Sequence, residues 1–247
     1  MNRRNILQIL TGLPFVVFKP AIAVGSDWDY KGNDPQHWSE LSAEYRNCGV
    51  GLNQSPIDLN HEIKASLPQL EIEYGNNFVS VENNGHTVLV TAGKGNHLIV
   101  DEERYDLIQC HFHHPSEHLL KGEQFPLECH FVHRLADNEI AVIGVLMKKG
   151  RRNDAFEKIL TLAPEEAGEK VEIPDHRLAI KDLLPNTLHY IRYSGSLTTP
   201  PCSEAVNWMI LVEAVEISVD QIARFAALYP NNARPIQPLH HRPVLEN

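Results

Sequence analysis

From Cys110 to His118 the chain reads CHFHHPSEH, which places four histidines and a glutamate within nine residues. Imidazole titrates near neutrality and ligates metals in its neutral form, so this density concentrates proton-transfer and metal-binding capacity in one short stretch. On a β-strand, alternate side chains share a face. Gln109, His111 and His113 therefore lie on one side, with Cys110, Phe112 and His114 on the other. A second run, LECHFVH from Leu127, repeats the arrangement, with Glu128, His130 and Val132 opposed to Cys129, Phe131 and His133. If the two runs are antiparallel neighbours, His111, His113 and His130 converge. The His-x-His pair is roughly 6.5 Å apart along a strand, which suits two imidazoles leaning toward one ion about 2 Å from each nitrogen. Three neutral ligands with one position left open are the catalytic zinc pattern rather than the closed structural one. A ligand histidine needs its second nitrogen held, and Gln109 and Glu128 each sit two positions before a candidate ligand on the same face. His114, His118 and His133 read as structural or surface residues.

The elements that must position these groups are mostly strands. FVSVEN, HTVLVTA, HLIVD, YDLIQCHFHH, LECHFVHRL, IAVIGVLMK, LHYIRYSG and VNWMILVEAVEI alternate with turn clusters such as Asn83-Asn84-Gly85. Helical signals are few: SVDQIARFAALYP carries a capping box, Ser218 with Gln221, and NDAFEKILTL opens on Asn153. The fold class is thus α+β and β-dominated, one domain with short peripheral helices.

The 247 residues have 32 acids against 22 bases, a formal charge of −10, which argues against nucleic-acid partners. Residues 1–23 read as a signal peptide: Arg3 and Arg4, an apolar run from Ile6 to Phe18, then Ala21-Ile22-Ala23. The paired arginines are compatible with the twin-arginine route, and an uncleaved anchor is the alternative. The mature domain, residues 24–247, contains no stable membrane span, and export places it in the periplasm or outside the cell. In an oxidising compartment some of the four cysteines pair. Cys48 and Cys202 occupy Gly- and Pro-rich loop contexts and are the favoured pair, leaving Cys110 and Cys129 as buried thiols; a Cys110–Cys129 cross-strand bridge is the alternative. Neither H-E-x-x-H nor G-x-S-x-G occurs.

These motifs resemble those of the α-class carbonic anhydrases. The resemblance runs from DWDYKGNDPQHW to RPIQPLHHRPV and includes NQSPIDL, ENNGH, QCHFHHPSEH, ECHFVH, YSGSLTTPPCSE and VNWMIL. It implies a large, twisted, mostly antiparallel central sheet with zinc at the bottom of a conical cleft. It also implies reversible hydration of carbon dioxide to bicarbonate by hydroxide on that zinc. Carried over by residue, it assigns the metal to His111, His113 and His130, and proton shuttling to His86. Thr198 resembles the hydroxyl that accepts a hydrogen bond from the nucleophile and donates to a buried glutamate, here Glu117, with Thr199 beside it. Val132, Val142, Leu197, Val206 and Trp208 resemble the apolar wall that receives carbon dioxide, and Cys48–Cys202 matches the bridge of exported members. The rival reading is a non-catalytic carbonic-anhydrase-like binding protein; such relatives typically lack a ligand histidine. One departure stands out: Leu89, three positions after His86, replaces a polar side chain that many relatives use to order cleft water.

Overall fold

A computed structural model describes residues 28–60, 62–135, 139–174 and 178–247. The leader read from the sequence, residues 1–23, lies outside the described residues. Eight strands carry the architecture: β1 (Phe78–Asn83), β2 (Val88–Ala92), β3 (His97–Val100), β4 (Glu103–His113), β5 (Leu127–Arg134), β6 (Ile140–Lys149), β7 (Tyr190–Ser196) and β8 (Glu204–Ile217). They belong to a 12-stranded sheet whose central order is β1-β2-β4-β5-β6-β8-β7, with β3 pairing β4 beyond the end of β2. Most pairings are antiparallel, and β6–β8 is parallel. A three-stranded ribbon of two-residue strands packs separately.

The reverse face of the central strands is the larger core. Cys110, Phe112, Cys129 and Phe131 are all fully buried there. Two helices cover this core, α1 (Asp154–Leu162) and α2 (Val219–Leu228). Both begin where side chains satisfy the first-turn amides. Asn153 accepts from the Phe156 amide, and Ser218 and Gln221 form the reciprocal capping box. Their apolar faces bring Phe156 to 4.9 Å from Phe112 and Phe225 to 6.0 Å, ring centroid to centroid. Each such buried aromatic contributes about 1.5–3 kcal/mol relative to exposure.

Strict alternation fails at one informative place in β4. Gln109 faces Val132, but Leu107 faces His133, so the register shifts and one residue is left over. This is a β-bulge. It sends both Leu107 and Cys110 into the core while Ile108 and Gln109 stay half-buried. The helices at Trp38–Leu41 and Asn47–Val50 were not foreseen from sequence; each has only four residues, too short for a 3.6-residue periodicity to register.

Candidate metal centre and cleft

Strands β4 and β5 pair antiparallel with His130 opposite His111, so the three predicted histidines meet on one face. Ring centroids are separated by 5.0 Å (His111–His113), 5.2 Å (His111–His130) and 4.6 Å (His113–His130). One ligand atom from each lies within 4.8 Å of the others. The hydrogen bonds decide which nitrogen each ring has to spare. Carboxylate and amide oxygens only accept, so the ring nitrogen facing each must donate. His111 uses Nδ1 on Gln109 Oε1 (2.9 Å), and His130 uses Nε2 on Glu128 Oε1 (2.8 Å). His113 uses Nδ1 on the Asn232 backbone carbonyl (2.7 Å). Left over are Nε2 of His111, Nε2 of His113 and Nδ1 of His130. The His113 Nε2 is buried with no hydrogen-bond partner, an expensive state for a polar atom unless a ligand completes it. The donor set and this orphaned atom fit a three-histidine metal.

A second grouping, His118, Glu128 and His130, also has ligand atoms close together, but hydrogen bonds fill it. Glu128 Oε1 accepts from His118 Nδ1 (2.7 Å) and His130 Nε2, and Oε2 accepts from the amides of Glu117 (2.9 Å) and His118 (2.8 Å). From His118 Nε2 the network continues to the Tyr193 hydroxyl and on to Ser55, at 2.7 Å in each step. Burial works to raise the Glu128 pKa, yet His118 and His130 outweigh it and hold the carboxyl well below its usual range.

Glu117 is equally buried but less well supplied. Arg234 N–H donates to Oε1 at 2.8 Å, while Oε2 sits 3.5 Å from His113 Nε2 and 3.9 Å from His130 Nδ1. Burial pushes its pKa up to about 7 against the lowering influence of His130, the Arg234 amide and the Thr198 side chain, although no donor closes a short bond to Oε2. Thr198 lies after β7 in a loop closed by Leu197 N–H on Ser203 O and Cys202 N–H on Thr199 O, both 2.9 Å. The Cys48–Cys202 disulfide is formed and anchors that loop; Cys110 and Cys129 are free and buried.

The predicted wall residues fall into one apolar cluster, with Val142, Val206 and Trp208 buried and Val132 and Leu197 packed partly buried against them. The Trp208 ring lies 4.9 Å from His130, so this cluster adjoins the histidines. Thr199 is half-buried. His86 ends the Asn83-Asn84-Gly85 turn, whose Asn84 Oδ1 accepts the His86 amide (2.9 Å), and its ring stacks on Trp28 at 3.7 Å and 11°. Leu89 is the cross-strand partner of His111. Sequence reasoning missed Asn232, whose backbone carbonyl accepts from His113 and whose side chain accepts from the His114 amide and donates to the His86 and Phe112 carbonyls. It lies more than a hundred residues away, and a backbone acceptor leaves no side-chain signature. His118 was read as merely structural or surface; it is the buried partner of Glu128.

Burial lowers the pKa of His111, whose triad neighbours lower it further; it brings His113 and His133 to about 4 and lowers His130. Unfolded imidazoles titrate near 6.5. Between pH 6.5 and 4 the unfolded chain therefore binds more protons at these four sites, and stability falls as pH falls. Glu117 opposes them, because its raised pKa takes up a proton in the folded state. The metal-free protein is expected to lose on the order of several kcal/mol between pH 6.5 and 4. Urea midpoints across that range check it; a flat profile contradicts it.

The chain is similar to known proteins over most of its length. The family model described as eukaryotic-type carbonic anhydrase matches residues 33–247. A carbonic anhydrase of Pectobacterium carotovorum is 40% identical over 234 residues, covering 93% of this chain and 95% of that protein. The α-carbonic anhydrase of Thermovibrio ammonificans, solved with the inhibitor sulfanilamide, superposes with a TM-score of 0.87 at 44% identity, covering 90% of this chain and 99% of that one. Dioscorin complexed with ascorbate also superposes, with a TM-score of 0.81 at 31% identity over 89% of this chain and 97% of that one. The fold and its histidine site thus define an enzyme of the carbonic anhydrase class. The chain belongs to the eukaryotic-type, or α, carbonic anhydrase family.

Proposed function

We propose that the chain reversibly hydrates carbon dioxide to bicarbonate and a proton, using one zinc ion held by His111, His113 and His130 and releasing the proton through His86. The observation that carries this reading is the set of three spare ring nitrogens, each on a ring whose other nitrogen is already engaged. Their depressed pKa values keep them neutral and ready to ligate at neutral pH. When bound, zinc supplies a nucleophile at neutral pH by lowering the pKa of its water to about 7, a value established for carbonic anhydrases as a class.

The rest is the work of the chain's own residues. Carbon dioxide is neutral and apolar, so Val132, Val142, Leu197, Val206 and Trp208, with Thr199 beside them, offer a dry surface rather than hydrogen bonds. Glu117 is most useful ionised, the form a neighbouring dication favours. A carboxylate only accepts, so the Thr198 hydroxyl must donate to it and present its lone pairs to the nucleophile's proton. That fixes which lone pair of the nucleophile faces carbon. The complete triad, together with Glu117 and Thr198, favours catalysis over a purely binding role. Stopped-flow hydration assays test the proposal: activity should vanish on chelation and return with zinc. A zinc-loaded, folded protein without hydration activity would overturn it.

For the proton, an imidazole of ordinary pKa suits relay to buffer. A cavity of about 280 Å³ beside Tyr30, His86 and Tyr229 gives a small buffer room to approach that ring. Leu89 is the cross-strand partner of His111, and its apolar side chain offers no hydrogen bond to water beside that ring. Leu89→Asn is expected to raise kcat at low buffer roughly 2–10-fold with KM unchanged. An unchanged buffer-limited kcat removes Leu89 from the proton route. We further propose that residues 1–23 direct export to the periplasm or beyond. Support comes from the leader-like sequence and the Cys48–Cys202 disulfide. Among the described residues no helix is long and apolar enough to cross a membrane.

A further inference from the structure

The strands that carry the histidines hold a second reactive pair on their reverse face. Cys110 and Cys129 immediately precede His111 and His130, are fully buried, and remain thiols. The register explains why the pair stays unbonded. Cys110 faces Phe131 and Cys129 faces Phe112, so the two cysteines sit on a diagonal. Diagonal neighbours lie about 7 Å apart, whereas the β-carbons of a disulfide lie roughly 4 Å apart. A slip of two residues would place Cys110 opposite Cys129. Because side chains alternate with a period of two, that slip keeps every residue of both strands on its own face, and hydrophobic patterning does not resist it. It would, however, set His111 against Glu128 instead of His130, and the three imidazoles would no longer converge.

We propose that Cys110 and Cys129 form an off-register disulfide when the chain is oxidised before it folds, in competition with the Cys48–Cys202 bridge. Loop closure favours the wrong pair. Cys48 and Cys202 are 154 residues apart. Residues 110 and 129 are only about 20 apart, an advantage of about 20-fold in closure probability for a flexible chain. Each bridge forms by exchange with a low-molecular-weight disulfide: two thiols lose two electrons and two protons, and the reagent is reduced to two thiols. Escape needs no further oxidant. The Cys202 thiolate attacks the Cys129 sulfur and expels the Cys110 thiolate. The Cys48 thiolate then attacks the Cys202 sulfur and expels the Cys129 thiolate. Once the sheet has its native register, burial and diagonal spacing keep the pair reduced.

The test starts from full-length protein, reduced and denatured, diluted into refolding buffer with oxidised glutathione, alkylated at intervals and mapped by mass spectrometry. The earliest single-disulfide species should contain Cys110–Cys129 over Cys48–Cys202 by about 20-fold. Chain folded under reductant and oxidised afterwards should contain Cys48–Cys202 alone. Wild-type yield of native near-ultraviolet circular dichroism should depend on the order of folding and oxidation, and the yield of C110A/C129A should not. Early species dominated by Cys48–Cys202, or a wild-type yield indifferent to order, would overturn the proposal. The disulfide map decides it even where the double variant folds poorly.

Discussion

His113→Ala is expected to lower carbon dioxide hydration by roughly three or more orders of magnitude and to abolish stoichiometric zinc binding, while the sheet still folds. His113 is the triad member with the least alternative use. Its Nδ1 is spent on the Asn232 carbonyl at 2.7 Å, and its Nε2 has no hydrogen-bond partner. Removing the ring deletes one of the three proposed metal ligands and leaves the Asn232 carbonyl without that donor, although the Asn232 side chain keeps its bonds to the His86 and Phe112 carbonyls. The local frame is therefore retained, and the stability cost should be that of a small buried cavity, about 2–4 kcal/mol. Metal content, hydration rate and far-ultraviolet circular dichroism measured together separate loss of the ion from loss of the fold. A folded His113→Ala protein that retains zinc and wild-type turnover would remove this histidine from the site.

The residues that carry this prediction differ in how legible they were. His111, His113 and His130 could be placed on one face because a strand has a period of two and both runs repeat the same polar and apolar order. Gln109 and Glu128 followed from the same period, and each holds the ring expected of it. The β4 bulge was not legible, since nothing in YDLIQ marks the skipped pairing at Ile108. Asn232 and Arg234 reach the site through backbone groups, His113 onto a carbonyl and Glu117 from an amide. Backbone contacts between residues so far apart in sequence leave no compositional trace. The stacking of His86 on Trp28 joins the beginning of the described chain to a turn some sixty residues later, and it too depended on tertiary packing.

Glu128→Gln is expected to be the most damaging change at a residue that touches no metal, because the carboxylate's four donors include two amides and two imidazoles. Each oxygen accepts two of them: the rings of His118 and His130 on Oε1, the amides of Glu117 and His118 on Oε2. An amide side chain offers one acceptor and one donor group in the same space. Whichever way it is turned, its NH₂ faces two N–H groups that cannot accept as they stand. Breaking a buried charge and its donors in this way costs about 3–5 kcal/mol. The metal is affected separately: His130 loses the acceptor that fixes its tautomer and raises the basicity of Nδ1, a change worth roughly 10–100-fold in affinity. Gln109→Ala makes the contrast, because Gln109 is half-buried and holds one ring by one bond. It should weaken zinc binding within that same range while leaving the urea midpoint nearly unchanged. Denaturation and zinc-competition titrations on the two variants would therefore move apart, Glu128→Gln in both measurements and Gln109→Ala in one. A Glu128→Gln protein as stable as wild type would mean that the four hydrogen bonds do not act together, and the separation between the variants would be lost.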